Sequence, residues 1–408
     1  MSDRLPPLET REPSTANPVV PAHGLARLVD LLEYQGKELF AKHGVPVPRG
    51  LHADDPAAAE AAAREVGFPC VIKAQVQIGK RGKAGGIKVA KDPAEARKHA
   101  KAILGMDIRG FTVHELWIEE ASQIAAEYYA SVILDRSEKK ILTMLSRMGG
   151  MDVEEIAERD PSALARCHIE PGETFDLEAA REVATDAQID DDVLDDVAEL
   201  LVRLPELAVA EDATLIEVNP LIATNDREVI ALDSKVTIDN NALFRHEELS
   251  GLRDRSSEDP QEELAHEKGL TYVKLDGDIG ILGNGAGLCM ATLDVVAQAG
   301  GAPANFLDAG GGSKAEVIVD ALEVITSDPK VRAILFNIFG GITRCDEVAR
   351  GIIEAYQRVD MKVPLVVRLD GTNSEEGLRL LDEADLAGLE QEKTMLGAAE
   401  KVVQLANG

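Results

Sequence analysis

A loop rich in glycine and cationic residues follows a predicted strand near the start of the sequence. Lys73 lies on that strand, VIKAQV, and the loop behind it contains Gly79, Lys80, Arg81, Gly82, Lys83, Gly85 and Gly86. Glycines let backbone amides approach phosphate oxygens, and lysine and arginine supply the positive charge that a polyphosphate requires. The loop favours a polyphosphate site, although it does not match the P-loop pattern and a solvated basic hairpin turn would have the same composition.

A second group of candidate residues lies on a predicted antiparallel hairpin formed by ATLIEV and EVIALDSKV. Glu217 and Asn219 are two residues apart, so they face one side of a strand, and Asp233 on the partner strand can meet them. Oxygen ligands of this kind, completed by phosphate oxygens and water, suit Mg²⁺. The flanking residues are apolar, which places these polar groups on a half-buried sheet where they need a partner. The polar face of an exposed hairpin is the alternative.

The segment 118–127, IEEASQIAAE, is a weaker candidate. Its residues from Glu119 to Ser122 could contact the polar atoms of a nucleotide. A strand that simply ends in two acidic residues would give the same pattern, and the segment alone favours this simpler interpretation.

Four glycine-containing turns follow the predicted strands of the C-terminal part, at residues 283–287, 308–313, 339–343 and 369–373. Ligands of open α/β sheets bind at the carboxyl ends of the strands, and helix N-termini favour anions. Tight turns between strand and helix need glycine for geometry alone. Four such turns in succession nevertheless predict a site for a phosphate, carboxylate or thioester ligand.

The predicted elements that position these residues divide the chain into four parts. Residues 1–28 contain five prolines and no apolar period, which predicts a disordered tail. Helices alternate with strands over residues 29–245 in an α+β arrangement, with 172–203 predicted to be helical, and residues 246–270 are polar enough to predict a linker. Residues 271–408 contain four strand, turn and helix units, which predict a doubly wound parallel sheet. The fold class is thus α/β.

The chain has 408 residues, of which 43 are Lys or Arg and 73 are Asp or Glu, so its net charge is −30. Such a charge repels phosphate backbones and acidic lipids, so neither nucleic acid nor a membrane is an expected partner. No apolar run is long enough to span a bilayer, and the four cysteines have no metal-binding spacing. We expect a cytoplasmic protein with a core of Ala, Val, Ile and Leu, because aromatic residues make up only 3%.

The order of several motifs resembles the β subunit of succinyl-CoA synthetase, in the succinate–CoA ligase family. In this sequence they are LLEYQGKELFAKHGVPVP, VIKAQV with RGKAGG, LIEVNPL, LDSKV, NGAGL, NFLDAGGG, NIFGGITRCD and VVRLDGTN. The resemblance extends from about Val29 to the C-terminus. It implies an N-terminal ATP-grasp domain over residues 29–245 and a C-terminal flavodoxin-like CoA-ligase domain over residues 271–408.

The resemblance also implies roles for individual residues. The implied nucleotide contacts are Lys73, Lys80, Arg81, Gly82, Glu119, Ser122 and Glu127. The implied metal ligands are Asn219 and Asp233, and the implied substrate contacts are Asn284, Gly341, Ile342 and Thr343. Glu217 matches an acid that in the family assists a phosphohistidine presented by the partner subunit.

The reaction that the resemblance implies is reversible and belongs to the tricarboxylic acid cycle. Succinate, CoA and ATP give succinyl-CoA, ADP and phosphate, through an acyl phosphate and a phosphohistidine on an α subunit. Mg²⁺ is the implied cofactor, adenine nucleotide is favoured with GTP/GDP left open, and CoA is held mainly by the α subunit. The two subunits would form an αβ dimer or an α2β2 tetramer. No histidine of this chain lies in a catalytic motif, which agrees with a partner that supplies it.

Two positions depart from the family pattern. Lys80 stands where the family loop usually has glycine, and Ser234 turns the usual LDGK into LDSK. Neither change removes a charge that the implied mechanism requires. A malate–CoA ligase β subunit and a catalytically silent nucleotide-binding regulatory subunit are the alternatives.

Overall fold

A computed structural model of the chain describes residues 28–79, 81–252, 259–310 and 315–408. The predicted tail, except its last residue, lies outside the described residues, as do Lys80 and part of the turn at 308–313. The described residues group into two compact units, 28–252 and 259–408. No helix in these ranges combines the length and apolar character needed to cross a membrane.

The first unit contains thirteen strands and seven α-helices among its described residues. In chain order they are β1 (Leu28–Asp30), α1 (Glu33–Lys42), β2 (Gly50–Ala53), α2 (Pro56–Val66), β3 (Cys70–Gln75), β4 (Ile87–Ala90), α3 (Pro93–Ile103), β5 (Asp107–Ile108), β6 (Phe111–Thr112), β7 (Glu115–Glu120), β8 (Ile124–Asp135), β9 (Lys140–Ser146), α4 (Val153–Arg159), β10 (Leu164–Ile169), α5 (Leu177–Asp186), α6 (Leu194–Ala210), β11 (Ala213–Thr224), β12 (Val229–Ala231), β13 (Lys235–Asp239) and α7 (Glu247–Ser250). Short 3₁₀ helices lie at Pro161–Ala163 and Asn240–Arg245.

The second unit alternates helices and strands. Its elements are α8 (Pro260–Glu267), β14 (Thr271–Lys274), β15 (Ile279–Gly283), α9 (Ala286–Gln298), β16 (Asn305–Asp308), α10 (Ala315–Thr326), β17 (Ala333–Gly340), α11 (Cys345–Arg358), β18 (Leu365–Gly371), α12 (Ser374–Ala384), β19 (Leu389–Gln391) and α13 (Met395–Asn407). The predicted domain limits stay a prediction. Residues 246–270, which we expected to be a linker, contain the helices α7 and α8.

Aspartate followed by proline begins three of these helices. Asp55 accepts hydrogen bonds from the backbone amides at the start of α2, and Asp92 and Asp259 do the same for α3 and α8. Each aspartate satisfies amides that have no partner within the helix, and the proline behind it has a helical φ and no amide to satisfy. Local sequence therefore fixes where these helices begin.

Two sheets form the framework of the first unit. The larger has the order β1-β13-β11-β8-β9-β10 with β12 paired to β11, and the smaller has the order β2-β7-β3-β4. Helices α5 and α6 pack on the larger sheet, whereas α2 and α3 pack on the smaller one. The predicted hairpin is confirmed, because β11 and β12 pair in antiparallel orientation with Leu221 opposite Ala231. Its second strand is interrupted at residues 232–234 before β13 begins, and β13 pairs with the first half of β11.

The prediction of helix over 172–203 is wrong at its start and in its middle. Helix α5 begins only at Leu177, where Asp176 caps it, and the chain leaves the helical conformation after Asp186. Gln188 has a φ of 56°, which a continuous right-handed helix cannot contain. The side chain of Asp190 then accepts a hydrogen bond of 2.8 Å from the Tyr128 hydroxyl, so this break is tied to β8.

The second unit confirms the doubly wound sheet. Its order is β14-β16-β15-β17-β18-β19. The five strands β16-β15-β17-β18-β19 have the strand order of flavodoxin, and β14 adds an antiparallel edge strand. Helices α10, α11 and α12 cover one face, and α9 and α13 cover the other. The cores are built mainly from Ala, Val, Ile and Leu, as the composition predicts.

Gly50 on β2 lies against the indole ring of Trp117 on the paired strand β7, and a Cβ at position 50 would enter the space of that ring. We expect Gly50→Ala to lower the free energy of unfolding by about 1–3 kcal/mol through overpacking. Trp117 is the single tryptophan, so its fluorescence spectrum should also change. The control is Gly251→Ala, where a Cβ would meet nothing within 4 Å. Equal stability and equal spectra for the two variants would contradict the packing described here.

Candidate functional site

Six charged side chains meet in the first unit, beside the glycine-rich loop. We call them the charged cluster: Glu33, Lys37, Lys73, Arg81, Glu119 and Asp233. Five of these side chains are at most 7% exposed, and Asp233 is 34% exposed. Burial of a charge is costly unless an opposite charge is close, so the contacts within the cluster are a condition for folding.

Regular structure places most of this cluster. Glu33 and Lys37 are one turn apart on α1, so they project from the same face of the helix. Lys73 lies on β3, which pairs with β7 at the centre of the smaller sheet. Glu119 lies on β7, and its carboxylate also accepts a hydrogen bond of 3.0 Å from the indole nitrogen of Trp117.

Each lysine of the cluster bridges two carboxylates. Lys73 Nζ lies 2.9 Å from Glu33 Oε1 and also contacts Glu119, and Lys37 Nζ lies 2.7 Å from Glu33 and 2.5 Å from Glu119. Burial alone would lower the pKa of Lys73, but the carboxylates of Glu119 and Glu33 outweigh it and raise that pKa. Burial would likewise raise the pKa of Glu33, but Lys37, Lys73 and Arg81 hold it well below its ordinary value. Lys73 and Glu33 are therefore both charged at neutral pH.

Arg81 connects the loop to the turn that follows β12. Its guanidinium lies 2.8 Å from Glu33 and donates from Nη2 to both carboxylate oxygens of Asp233, at 2.9 and 3.2 Å. The sequence predicted that Asp233 lies on a strand. This prediction is wrong, because Asp233 lies in the interruption between β12 and β13. A cation that bound Asp233 would have to share that carboxylate with Arg81.

Three other predicted nucleotide contacts, Gly82, Ser122 and Glu127, are not members of the charged cluster. Gly82 is exposed in the loop, where its carbonyl accepts a hydrogen bond of 3.0 Å from the amide of Gly85. Ser122 is half-buried between β7 and β8. Glu127 is exposed on β8, and its backbone carbonyl accepts a hydrogen bond of 3.1 Å from the amide of Gly149.

Asn219 is held by the turn that contains Gly149. Its Oδ1 accepts a hydrogen bond of 2.8 Å from the amide of Gly150, and its Nδ2 donates to the carbonyl of Met151 at 2.8 Å. Glu217 lies two residues earlier on β11, opposite Lys235 of β13. Burial raises the pKa of the Glu217 carboxyl, and the charge of Lys235 opposes that shift.

The second unit brings the predicted substrate contacts together at the carboxyl ends of β15 and β17, which are paired strands. Asn284 links the two turns, because its amide donates to the carbonyl of Phe339 and accepts from the Phe339 amide, both at 2.9 Å. Gly341 and Ile342 are exposed on the second turn, Ile342 to 89%, while Thr343 is buried beneath them. This is the position at which ligands bind open α/β sheets.

Comparison with known proteins assigns a family to each of the two units. Residues 30–223 match the model of the ATP-grasp domain family, and residues 282–402 match the CoA-ligase family. The chain is 51% identical over 378 residues to the ADP-forming succinate–CoA ligase subunit beta of Rubrobacter xylanophilus, covering 93% of this chain and 99% of that protein. The chain belongs to the succinate–CoA ligase β-subunit family.

Solved structures support the same fold for this family member. ATP citrate lyase from Methanothrix soehngenii, solved with citrate and coenzyme A, superimposes with a TM-score of 0.70 at 17% identity, over 93% of this chain and 100% of that chain. A variant of the Methanosaeta concilii ATP citrate lyase, solved with (3S)-citryl-CoA, gives a TM-score of 0.69 at 17% identity, over 91% and 98% of the two chains. At this identity the likeness concerns the fold alone. The family resemblance drawn from the motifs, and both predicted domain folds, are thus confirmed.

Sequence reasoning missed two members of the charged cluster in this succinate–CoA ligase family chain. Glu33 and Lys37 lie on α1, whose sequence pattern indicates only an amphipathic helix. The available signal was a pair of opposite charges one turn apart, next to the apolar residues Leu39 and Phe40. Both charged side chains are 1% exposed, so the pair faces inward together with those apolar residues.

The serine that departs from the family pattern has a defined structural role. Ser234 Oγ donates a hydrogen bond of 2.7 Å to the backbone carbonyl of Glu33, and the side chain is buried. It fits because position 36 of α1 is glycine, where a Cβ would lie 2.5 Å from Ser234 Oγ. Helix α1 and the turn after β12 are therefore in direct contact at this point.

We expect Glu33→Gln to destabilise the chain by about 3–5 kcal/mol, because Lys37, Lys73 and Arg81 would lose a shared buried carboxylate. The control is Glu38→Gln on the same helix, which is exposed and should change stability by less than about 0.5 kcal/mol. Denaturant unfolding of the two variants measures the difference. Similar midpoints would show that the cluster does not depend on Glu33.

The contact between α1 and Ser234 predicts a coupled pair of substitutions. Gly36→Ala alone should lower the free energy of unfolding by about 1–3 kcal/mol, because the new methyl group overlaps the serine side chain. Ser234→Gly alone should cost about 1 kcal/mol through the lost hydrogen bond. The double variant should be more stable than Gly36→Ala, as measured in a double-mutant cycle. Additive effects would contradict the contact.

Proposed function

We propose that this chain is the nucleotide-binding subunit of a heteromeric succinate–CoA ligase, which couples ATP cleavage to the reversible formation of succinyl-CoA. The observation that carries the proposal is the charged cluster, in which three cations are fixed beside a glycine-rich loop. The likeness to an ADP-forming β subunit supports adenine nucleotide as the substrate. The four cysteines, free among the described residues, support a reducing, cytoplasmic location.

In this proposal the cationic side chains of the cluster bind the phosphates of the nucleotide. Lys73 and Arg81 are charged and already oriented by carboxylates, so little side-chain entropy remains to be lost on binding. The phosphates would replace a carboxylate as the partner of Arg81. Five further residues are proposed to contact the nucleotide: Lys80, Gly82, Glu119, Ser122 and Glu127.

Two oxygen donors of the first unit, from Asp233 and Asn219, fit Mg²⁺. Asp233 offers a partly exposed carboxylate, and Asn219 offers an amide oxygen held in place by the amide of Gly150. Hard oxygen ligands with phosphate oxygens and water are the set that Mg²⁺ prefers. Asn219 and Asp233 would hold the ion, which when bound neutralises charge on the phosphoryl group. The chain's own part would be to hold the Asp233 carboxylate beside Arg81, one of the cations proposed to bind the phosphates.

Glu217 and the turns of the second unit complete the proposal. Burial raises the pKa of the Glu217 carboxyl above its ordinary value, and this carboxyl would assist a phosphohistidine presented by an α subunit. Asn284, Gly341, Ile342 and Thr343 would contact the substrate side of the reaction. The α subunit would hold most of the CoA, in an αβ or α2β2 assembly.

A labelling experiment tests the proposal directly. The chain is isolated with the proteins that accompany it and incubated with Mg²⁺ and γ-labelled ATP. Acid-labile label should appear on a second chain and should be discharged by succinate with CoA. Discharge by malate instead would identify the malate enzyme. Absence of both a second chain and a label would leave only nucleotide binding and refute the ligase proposal.

Asp233→Asn tests the metal assignment. We expect turnover to fall at least about a hundredfold, because an amide cannot replace the charge of a Mg²⁺-binding carboxylate, while assembly with the partner persists. The matched control is Asp226→Asn in the exposed turn between β11 and β12, which should retain full activity. Unchanged Mg²⁺-dependent turnover in Asp233→Asn would show that the carboxylate does not bind the metal.

A further inference from the structure

A second cluster of titratable groups lies where α6 ends and β11 begins, and none of its residues has been assigned to the reaction. Glu211 follows α6 directly, and His246 precedes the short helix α7, which carries Glu248. One ligand atom from each of these three side chains lies within 4.8 Å of the others. They form the only group of three or more His, Cys, Asp or Glu side chains that meets this spacing among the described residues.

Glu211 is oriented so that one of its oxygens faces this group. Its side chain is only 4% exposed, and its Oε1 lies 2.7 Å from His43 Nε2 and 2.9 Å from Lys42 Nζ, both at the end of α1. Oε2 is buried and has no hydrogen-bond partner among the described residues. A buried carboxylate oxygen without a hydrogen-bond donor is costly, so this oxygen is available to a further ligand.

His246 presents a ring nitrogen to that oxygen. Its Nε2 lies 2.7 Å from Asp212 Oδ2, so the ring donates its Nε2 proton to this carboxylate and the neutral ring has its lone pair on Nδ1. Nδ1 lies 3.5 Å from Glu211 Oε2, which is longer than the usual hydrogen bond of about 2.7–3.2 Å. When the ring is neutral, its Nδ1 lone pair faces the Glu211 oxygen across this distance.

The separation of these atoms suits a cation between them. Two ligands bound at about 2.0–2.1 Å to a tetrahedral ion lie about 3.4 Å apart, close to the observed 3.5 Å. A histidine that binds metal through one nitrogen usually donates its other N–H to a carboxylate, which is the role that Asp212 already has. The ring and its outer partner are thus arranged as in known histidine metal sites.

We propose that Glu211, His246 and Glu248 form a binding site for a divalent transition-metal ion such as Zn²⁺, with water in the fourth position. One imidazole nitrogen and carboxylate oxygens favour such an ion over Mg²⁺. The ion would connect the end of α6 to α7, and thereby fix the segment that follows β13. The site is independent of the proposed nucleotide chemistry.

The positive charge of Lys42 lies next to the proposed metal site and disfavours the binding of a metal ion. Its Nζ lies 2.9 Å from Glu211 and 3.8 Å from Glu248, so it competes with a metal for both carboxylates. Its side chain is 56% exposed and can move into solvent when a metal binds. Lys42→Gln should therefore increase metal affinity, whereas a purely ionic cluster would only lose stability from the same change.

Equilibrium dialysis against Co²⁺ tests the site in the chelator-treated complex, with Mg²⁺ in excess to occupy other metal sites. We expect one Co²⁺ per chain, with the visible absorption of a four-coordinate ion. Glu248→Gln should weaken binding at least about tenfold, as should Asp212→Asn, which retains a residue type that tolerates the φ of 52° at this position.

The control is Glu247→Gln, an exposed neighbour on the same helix, which should bind Co²⁺ as the parent does. Glu248 is also exposed, so Glu248→Gln should fold normally, and its thermal unfolding checks this. No saturable Co²⁺ binding in the presence of Mg²⁺, or equal affinity in Glu248→Gln and the parent, would overturn the proposal.

Discussion

The balance of buried charge is the constraint on which the first unit depends. Three cations and three carboxylates are held in one cluster, and they come from α1, β3, the glycine-rich loop, β7 and the turn after β12. The strands, the loop and the turn each contribute one charge that cannot be buried alone, because an unpaired buried ion costs several kcal/mol. Glu33 and Lys37 of α1 supply counter-charges to Lys73, Arg81 and Glu119. Gly36 allows α1 to approach the turn that carries Asp233, because a Cβ at position 36 would lie 2.5 Å from Ser234 Oγ.

Local signals predict much of this architecture. Asp-Pro pairs, apolar runs and glycine turns place most helices and strands of both units, and a cation-rich loop with the strand before it identifies Arg81 and Lys73. The break after α5 escapes prediction because a left-handed residue at Gln188 and a hydrogen bond from Tyr128 decide it, and the latter is a contact between distant segments. Glu33 and Lys37 escape it for a related reason: the partners that surround them, Lys73, Arg81 and Glu119, lie on segments distant in the sequence.

The second unit is easier to predict than the first. Parallel strands buried on both faces have continuous apolar sequences, and each strand is followed by its own helix, so sequence order gives most of the topology. The edge strands β14 and β19 are not predicted, because short, partly exposed strands have weak sequence patterns. The role of Asn284 as a link between two turns is also invisible in the sequence, since the residues it joins are far apart in the chain.

The bond between Arg81 and Asp233 has a consequence for the order in which ligands bind. A metal ion that arrives alone meets a carboxylate whose charge is already neutralised by a guanidinium. In the proposed nucleotide complex a phosphate group would offer Arg81 another anion, and would thereby release the Asp233 carboxylate when the phosphate itself needs a counterion. Nucleotide and metal would thus increase each other's affinity by the same factor, as thermodynamic linkage requires. The proposed site would therefore bind nucleotide and metal more tightly together than either one alone.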